Sequence, residues 1–275
     1  MTSTSPPRLQ AAGLGLGYDG RPVVHEVDLV IPDHGITTII GPNGCGKSTL
    51  LRGLGRLLAP RTGHVLLDGK QIDRLPARAV ATSLGLLPQA PTAPDGLTVA
   101  ELVSRGRHPH QRWFRQWSQA DETAVADALR WTGMTEFAER AVDTLSGGQR
   151  QRAWISMALA QGTGVLLLDE PTTYLDLAHA IDVLDLIDRL HEEEGRTVVL
   201  VLHDLNLAAR YSDHLVVMAQ GRVAAQGAPA DVLTEELLAA TFGLGCRVLT
   251  DPVSGRPMVV PIGTRHVLAP QPAPV

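Results

Sequence analysis

Residues Gly41-Pro42-Asn43-Gly44-Cys45-Gly46-Lys47-Ser48-Thr49 have the types and spacing that a nucleotide's phosphates require. The pattern is GxxxxGK[ST]. Its glycines let backbone N–H groups wrap phosphates without Cβ clashes, and Lys47 brings a positive charge to the β and γ positions. Ser48 offers its hydroxyl to Mg²⁺. Such a loop needs a strand before it and a helix after it. Ile36-Thr37-Thr38-Ile39-Ile40 is a β-branched strand pattern, and Leu50, Leu51, Leu54, Leu57 and Leu58 recur at helical spacing.

Carboxylates follow further along. Val165-Leu166-Leu167-Leu168 is apolar on both faces, as a central parallel strand must be, and it ends in Asp169 and Glu170. Alone, such a pair could cap a helix. Beside a bound triphosphate the two acids have separate tasks: Asp169 completes the Mg²⁺ shell, usually through water, and Glu170 polarises the attacking water. Gln89 leaves the predicted strand Leu84–Leu87, and His203 leaves Thr197–Leu202. Elsewhere these would read as a surface glutamine and a satisfied structural histidine. In an open α/β sheet, strand exits are where ligands sit.

A second anion cradle stands about a hundred residues beyond the first. Leu145-Ser146-Gly147-Gly148-Gln149 leads into Arg150-Gln151-Arg152 and the apolar run Trp154–Leu159. This is a turn followed by a helix, whose first N–H groups and dipole favour an anion. Two cradles in one chain predict that each grips a different face of one nucleotide, across two copies of the protein.

The elements that must position these groups are readable in order. Residues 8–31 alternate loosely between glycines and predict two or three short antiparallel strands, with Tyr18 at a turn after Gly17. A strand-like run covers 64–67. Helical patterns cover 98–106, 121–132 and 148–161, and an amphipathic helix covers 177–194 after the turn Thr172-Thr173-Tyr174-Leu175-Asp176. Short strands at 215–218 and 222–226, a helix at 235–242 and strand pieces near 246–249 and 257–261 complete the pattern. The proline-rich tail 261–275 is expected to be unordered. Between two of the helices, Arg105–Trp117 interleaves basic residues with Trp113, Phe114 and Trp117, and includes His108 and His110. The basic run is short and no further metal ligands accompany the histidines, so a protein-docking or locally packed segment is the preferred reading.

Bulk properties narrow the class. The 275 residues carry 24 Lys and Arg against 29 Asp and Glu, a net charge of −5, which argues against broad nucleic-acid binding. Cys45 and Cys246 stand far apart and read as free cytosolic thiols. Residues 1–8 lack the apolar core of a signal peptide, and no apolar run approaches the roughly 18–20 residues that span a bilayer. A soluble protein is expected, serving a membrane only through a partner.

The ordered set of phosphate loop 41–49, Gln89, Leu145–Gln149, Val165–Glu170, Asp176 and His203 resembles the ATP-binding-cassette (ABC) ATPases over about residues 8–260. Arg105–Trp117, the Thr-Thr-Tyr-Leu-Asp turn and Leu177-Ala178-His179 look like the subgroup that imports iron–siderophore complexes. The resemblance implies a P-loop NTPase of α/β class: a RecA-like mixed sheet core, an N-terminal antiparallel β subdomain, both drawn from 8–89 and 162–260, and an inserted helical subdomain at 90–161. It implies ATP and Mg²⁺ as ligands, with Ser48, Gln89 and Asp169 at the metal. Glu170, His203, Lys47 and Gln89 would take part in hydrolysis, with His203 bracing the γ-phosphate, and Tyr18 would stack on adenine. Ser146, Gly147, Gly148 and Gln149 would hold the γ-phosphate bound by the opposite copy in a head-to-tail dimer, and Asp176 would cross that interface. Integral-membrane permease subunits at the cytoplasmic face of the cell membrane, and indirectly an extracytoplasmic substrate-binding protein, are the implied partners. The departures are mild: Cys45 fills a variable loop position, and Tyr174 replaces the small residue common elsewhere in the family.

Other classes fit less of the pattern. A small-metabolite P-loop kinase has no use for the Leu145–Gln149 motif. A soluble cassette for DNA repair, translation or iron–sulphur assembly remains open, as do importers of haem, cobalamin or metal ions, since no residue of this chain touches the cargo.

Overall fold

In a computed structural model of the chain, the described residues are 7–111, 117–173 and 175–263. Trp113, Phe114, Tyr174 and the tail from 264 onward, all singled out above, lie outside them.

Strands β1 (Leu9–Tyr18) and β2 (Arg21–Ile31) form a hairpin closed by Asp19 and Gly20. Both turn residues have positive φ, 44° and 81°, which matches the twist of two antiparallel strands. The strands are longer than the glycines suggested. Register shifts between Ala11 and Leu14, Leu14 and Leu16, and Leu16 and Gly17 absorb those glycines as irregularities instead of ending the strand. β4 (Thr62–Leu67) and β5 (Lys70–Gln71) extend this sheet in the order β2-β1-β4-β5.

The central sheet begins with β3 (Ile36–Ile40), which feeds helix α1 (Lys47–Leu54). After α2 (Ala77–Ser83) and β6 (Leu84–Leu87), three helices follow: α3 (Val99–Arg105), α4 (Gln119–Trp131) and α5 (Gly147–Ala160). Each of the three starts at a capping box, Thr98 with Glu101, Ser118 with Asp121 and Ser146 with Gln149. β7 (Val165–Asp169), α6 (Leu177–Glu194), β8 (Thr197–Val201), α7 (Leu205–Tyr211), β9 (His214–Ala219) and β10 (Arg222–Gly227) then complete the sheet in the order β10-β9-β3-β8-β7-β6. All its pairings are parallel except β9 with β10. The described chain ends with α8 (Pro229–Val232), α9 (Glu235–Phe242) and the hairpin β11 (Cys246–Thr250) with β12 (Pro257–Pro261).

Successive strand residues serve opposite faces. Leu166, Leu168, Val198, Leu200, Leu215 and Val217 pack under α3–α9, whereas Val165, Leu167, Val199, Val201, Val216 and Met218 pack against α1 and the antiparallel sheet. This double burial is why the central strands read as unbroken apolar runs. Helices α2 and α7 were not foreseen. Val80 is the buried residue of α2, so it has no apolar stripe, and α7 is seven residues long. Among the described residues no helix is long and apolar enough to cross a membrane.

Candidate nucleotide-binding site

The glycine loop leaves β3 at Ile40 and delivers Lys47 as the first residue of α1. Gly46 caps that helix at φ 104°, a conformation that L side chains rarely adopt, and faces Val23 and Val24 closely. At Gly41 any Cβ would stand 2.3 Å from the Met218 carbonyl, so the loop sits directly on β9. Cys45 is buried beneath the loop, and burial pushes its thiol above the usual range. The Lys47 ammonium, only 5% exposed, donates to the carbonyls of Gly41 at 2.8 Å and Pro42 at 3.1 Å. A buried cation is thereby satisfied without an acidic partner.

Asp169 ends β7 beside this loop. Its Oδ1 accepts from Ser48 Oγ at 2.8 Å, while Oδ2 is buried without a hydrogen-bond partner. Burial, helped by the Glu170 charge, raises the Asp169 carboxyl above the usual carboxylate range, even though Ser48, Arg52 and Lys47 pull the other way. A buried carboxylate oxygen with an unused lone pair, next to a serine hydroxyl, fits a divalent cation that prefers oxygen ligands.

Glu170 follows with φ 52°, a left-handed conformation unusual for a side chain of its size. That turn swings its carboxylate toward two other strand exits. Oε2 accepts from Gln89 Nε2 at 2.5 Å and from Thr173 Oγ1 at 2.9 Å, and Oε1 meets His203 Nε2 at 2.5 Å. Asn43, Gly44, Gly46, Lys47, Ser48, Thr49, Gln89, Glu170 and His203 line one cleft of about 440 Å³. Such a constellation can cradle phosphates, hold a cation and aim a carboxylate at a nearby water.

Not every anticipated residue is there. Tyr18 does not line the cleft; it ends β1, and its hydroxyl accepts from Arg52 Nη1 at 3.3 Å. Val23, on β2, lines the cleft instead and was not foreseen. Ser146, Gly147, Gly148, Gln149 and Asp176 also lie outside it. Ser146 caps α5, its Oγ accepting from the Gln149 N–H at 3.3 Å, while Gln149 Oε1 accepts from the Ser146 N–H at 3.1 Å. Since Ser146 Oγ acts as acceptor there, its own O–H can still donate outward. Asp176 caps α6 by accepting the His179 backbone N–H at 2.9 Å, and that N–H and then the His179 ring hold the Asp176 carboxyl below its usual range.

A larger cleft of about 670 Å³ lies between α4, α5 and α6. Arg130, Arg152 and Arg189 alternate there with Asp182, Asp185 and Asp188, so it has no single-signed cradle for a triphosphate. In the basic segment, the His110 ring bonds the Gln161 carbonyl at 2.7 Å and Trp117 is half-exposed.

The comparison with known proteins agrees with this geometry. The family model described as ABC transporter matches residues 24–173, over half of the chain. The ferric enterobactin transport ATP-binding protein FepC of Escherichia coli is 53% identical over 256 residues, covering 93% of this chain and 94% of that protein. The petrobactin import ATP-binding protein FpuD of Bacillus anthracis is 53% identical over 255 residues, covering 93% of each. The fold is also similar to the dimeric structure of the bacterial ABC transporter cassette MJ0796, with a TM-score of 0.70, 28% identity and coverage of 80% of this chain and 98% of that one. The chain belongs to the ABC transporter family, as one of its ATP-hydrolysing subunits.

Proposed function

We propose that this chain powers the import of iron–siderophore complexes, working as a head-to-tail pair beneath integral-membrane permease subunits at the cytoplasmic face of the membrane. The observation that carries the cargo assignment is the identity near 53% along almost the whole chain to two siderophore-import ATP-binding proteins. An extracytoplasmic binding protein would hand the cargo to the permease, and this chain would never touch it.

In this reading residues 41–49 wrap the ATP phosphates, and Val23 flanks them with Tyr18 near the base. Ser48 and Asp169 would hold Mg²⁺ with Gln89 at hand, and the cation would neutralise phosphate charge. Glu170 orients the attacking water, and His203 braces both that carboxylate and the γ-phosphate. Ser146, Gly147, Gly148 and Gln149 of one copy close over the γ-phosphate of the other, with Asp176 crossing beside them. ATP then acts as glue, because its charge finds all its partners only when both faces are present. Segment 90–161 forms the helical subdomain, and the Gln89 strand exit links it to the nucleotide.

The reading is tested by reconstituting the chain with its permease and binding protein in vesicles. ATP-dependent uptake of a ferric siderophore, and not of haem or cobalamin, is expected. Uptake of cobalamin alone would reassign the cargo while leaving the ATPase in place.

A further inference from the structure

His179 stands where two turns meet. Its ring Nδ1 lies 2.8 Å from Asp176 Oδ1, the same oxygen that accepts the His179 backbone N–H at 2.9 Å. The other edge of the ring lies against the first turn of α5. A Cβ on Gly148 would stand 2.9 Å from His179 Cδ2 and 3.3 Å from Cγ. Gly148 is buried although its neighbours Ser146 and Gly147 are exposed. The imidazole thus bridges the carboxylate that caps α6 and the glycine that follows the serine capping α5.

We propose that His179 is a positioning residue, setting the spacing between the Asp176 turn and the Ser146 turn that this chain presents to its partner's ATP. The inference rests on the two-copy reading above. Both turns are offered by the same copy to the same nucleotide, so an error in their spacing would misplace donors at one γ-phosphate. The bond between the ring Nδ1 and Asp176 Oδ1 fixes one edge of the ring, and contact with Gly148 fixes the other. A small residue at 148 is what allows the ring to approach so closely. His179 lies outside the phosphate-loop cleft, so its removal leaves nucleotide capture by a single copy alone.

The test separates capture from closure. In a Glu170→Gln background, ATP-driven pairing is followed by analytical ultracentrifugation, and ATP binding to the dilute, single chain is followed with a fluorescent ATP analogue. His179→Ala is expected to raise the protein concentration needed for pairing roughly tenfold, and in the parent background to lower kcat by a similar factor, as sub-ångström misplacement does. Binding to the single chain is expected to stay within about twofold, since only closure is affected. His179→Phe, which keeps a ring against Gly148 without the bond to Asp176, should fall between. Parent-like pairing by His179→Ala, loss of single-chain binding, or full function of His179→Phe would each overturn the assignment. If the Glu170→Gln parent itself stays single with ATP, the two-copy reading fails first and takes this inference with it.

Discussion

His203 Nε2 and Glu170 Oε1 lie 2.5 Å apart, and Gln89 and Thr173 share the other oxygen of the same carboxylate. Two other strand exits and a turn therefore converge on one side chain. With φ of 52°, the Glu170 backbone turns left-handed after β7, and these three partners hold its carboxylate in place. That convergence favours a carboxylate kept in one orientation beside the phosphate loop over a helix cap.

Glu170→Gln preserves the shape and leaves an oxygen for Gln89 or Thr173, but removes the negative charge that, in the proposed reading, draws a proton from water. Turnover is expected to fall by about 10²-fold or more, the usual size of a lost general base. ATP affinity should remain close to the parent's, and ATP should leave the protein paired. Phosphate-release kinetics with parallel nucleotide-binding titrations check this. Hydrolysis at the parent rate would remove Glu170 from the reaction.

Ser146→Arg places a long cation where a partner's γ-phosphate would enter. Hydrolysis is expected to vanish while binding to the single chain survives. Ser146→Ala is the control, because loss of the α5 cap alone costs about 1 kcal/mol of stability. If the arginine variant failed to bind nucleotide as a single chain, the serine would belong to the same copy's site and the two-copy reading would be wrong.

Much of this was legible in residue order, and the reason is physical. Ile36–Ile40 is a β-branched run and Val165–Leu168 is apolar on both faces, so both had to be buried strands, and a glycine loop or an acid pair at the exit of such a strand announces itself. Tertiary contacts were not legible. Thr173 reaches Glu170 only because the glutamate backbone turns left-handed, and no periodicity encodes that. Val23 sits in an ordinary strand and meets the phosphate loop by the packing of β2 on Gly46. His179 and Gly148 are joined only once α5 and α6 lie side by side. The glycines of β1 signalled interruption but became register shifts, because β2 and β4 hold that strand from both sides.

The basic segment after α3 has a structural anchor. Arg107 is buried, its Nε 2.8 Å from Asp121 Oδ1 and its Nη1 donating to the Ala160 carbonyl at 2.7 Å. Arg107→Met would leave Asp121 charged and only partly satisfied by Ser118. A loss of about 3 kcal/mol is expected from urea denaturation, in line with breaking a buried pair from one side. Asp121 also sets a pH dependence. The Ser118 hydroxyl first, and Arg107 after it, hold its carboxyl below the ordinary value of 3.8. Its stabilising contribution is therefore complete above that value and is lost as pH falls through the lower folded one. Denaturation midpoints of the Arg107→Met variant should accordingly converge on those of the parent in acid.

Asp169→Asn separates stability from function. The native carboxylate is buried with Oδ2 unpartnered, and burial raises its pKa, so protonation is favoured by folding. By linkage, the contribution of this group is best below the unfolded value and declines as pH rises through the raised folded one. At neutral pH the charge opposes folding unless a cation answers it. Removing the charge is expected to stabilise the nucleotide-free chain by about 1 kcal/mol, the scale on which active-site groups trade stability for activity. Mg²⁺-dependent hydrolysis should be lost in the same variant. Thermal melts with and without Mg²⁺ and ATP would read both effects: the parent should gain more from the added cation than the variant does. An Asp169→Asn protein that melts lower than the parent and still gains equally from Mg²⁺ would mean that Ser48, not the cation, is the carboxylate's true partner.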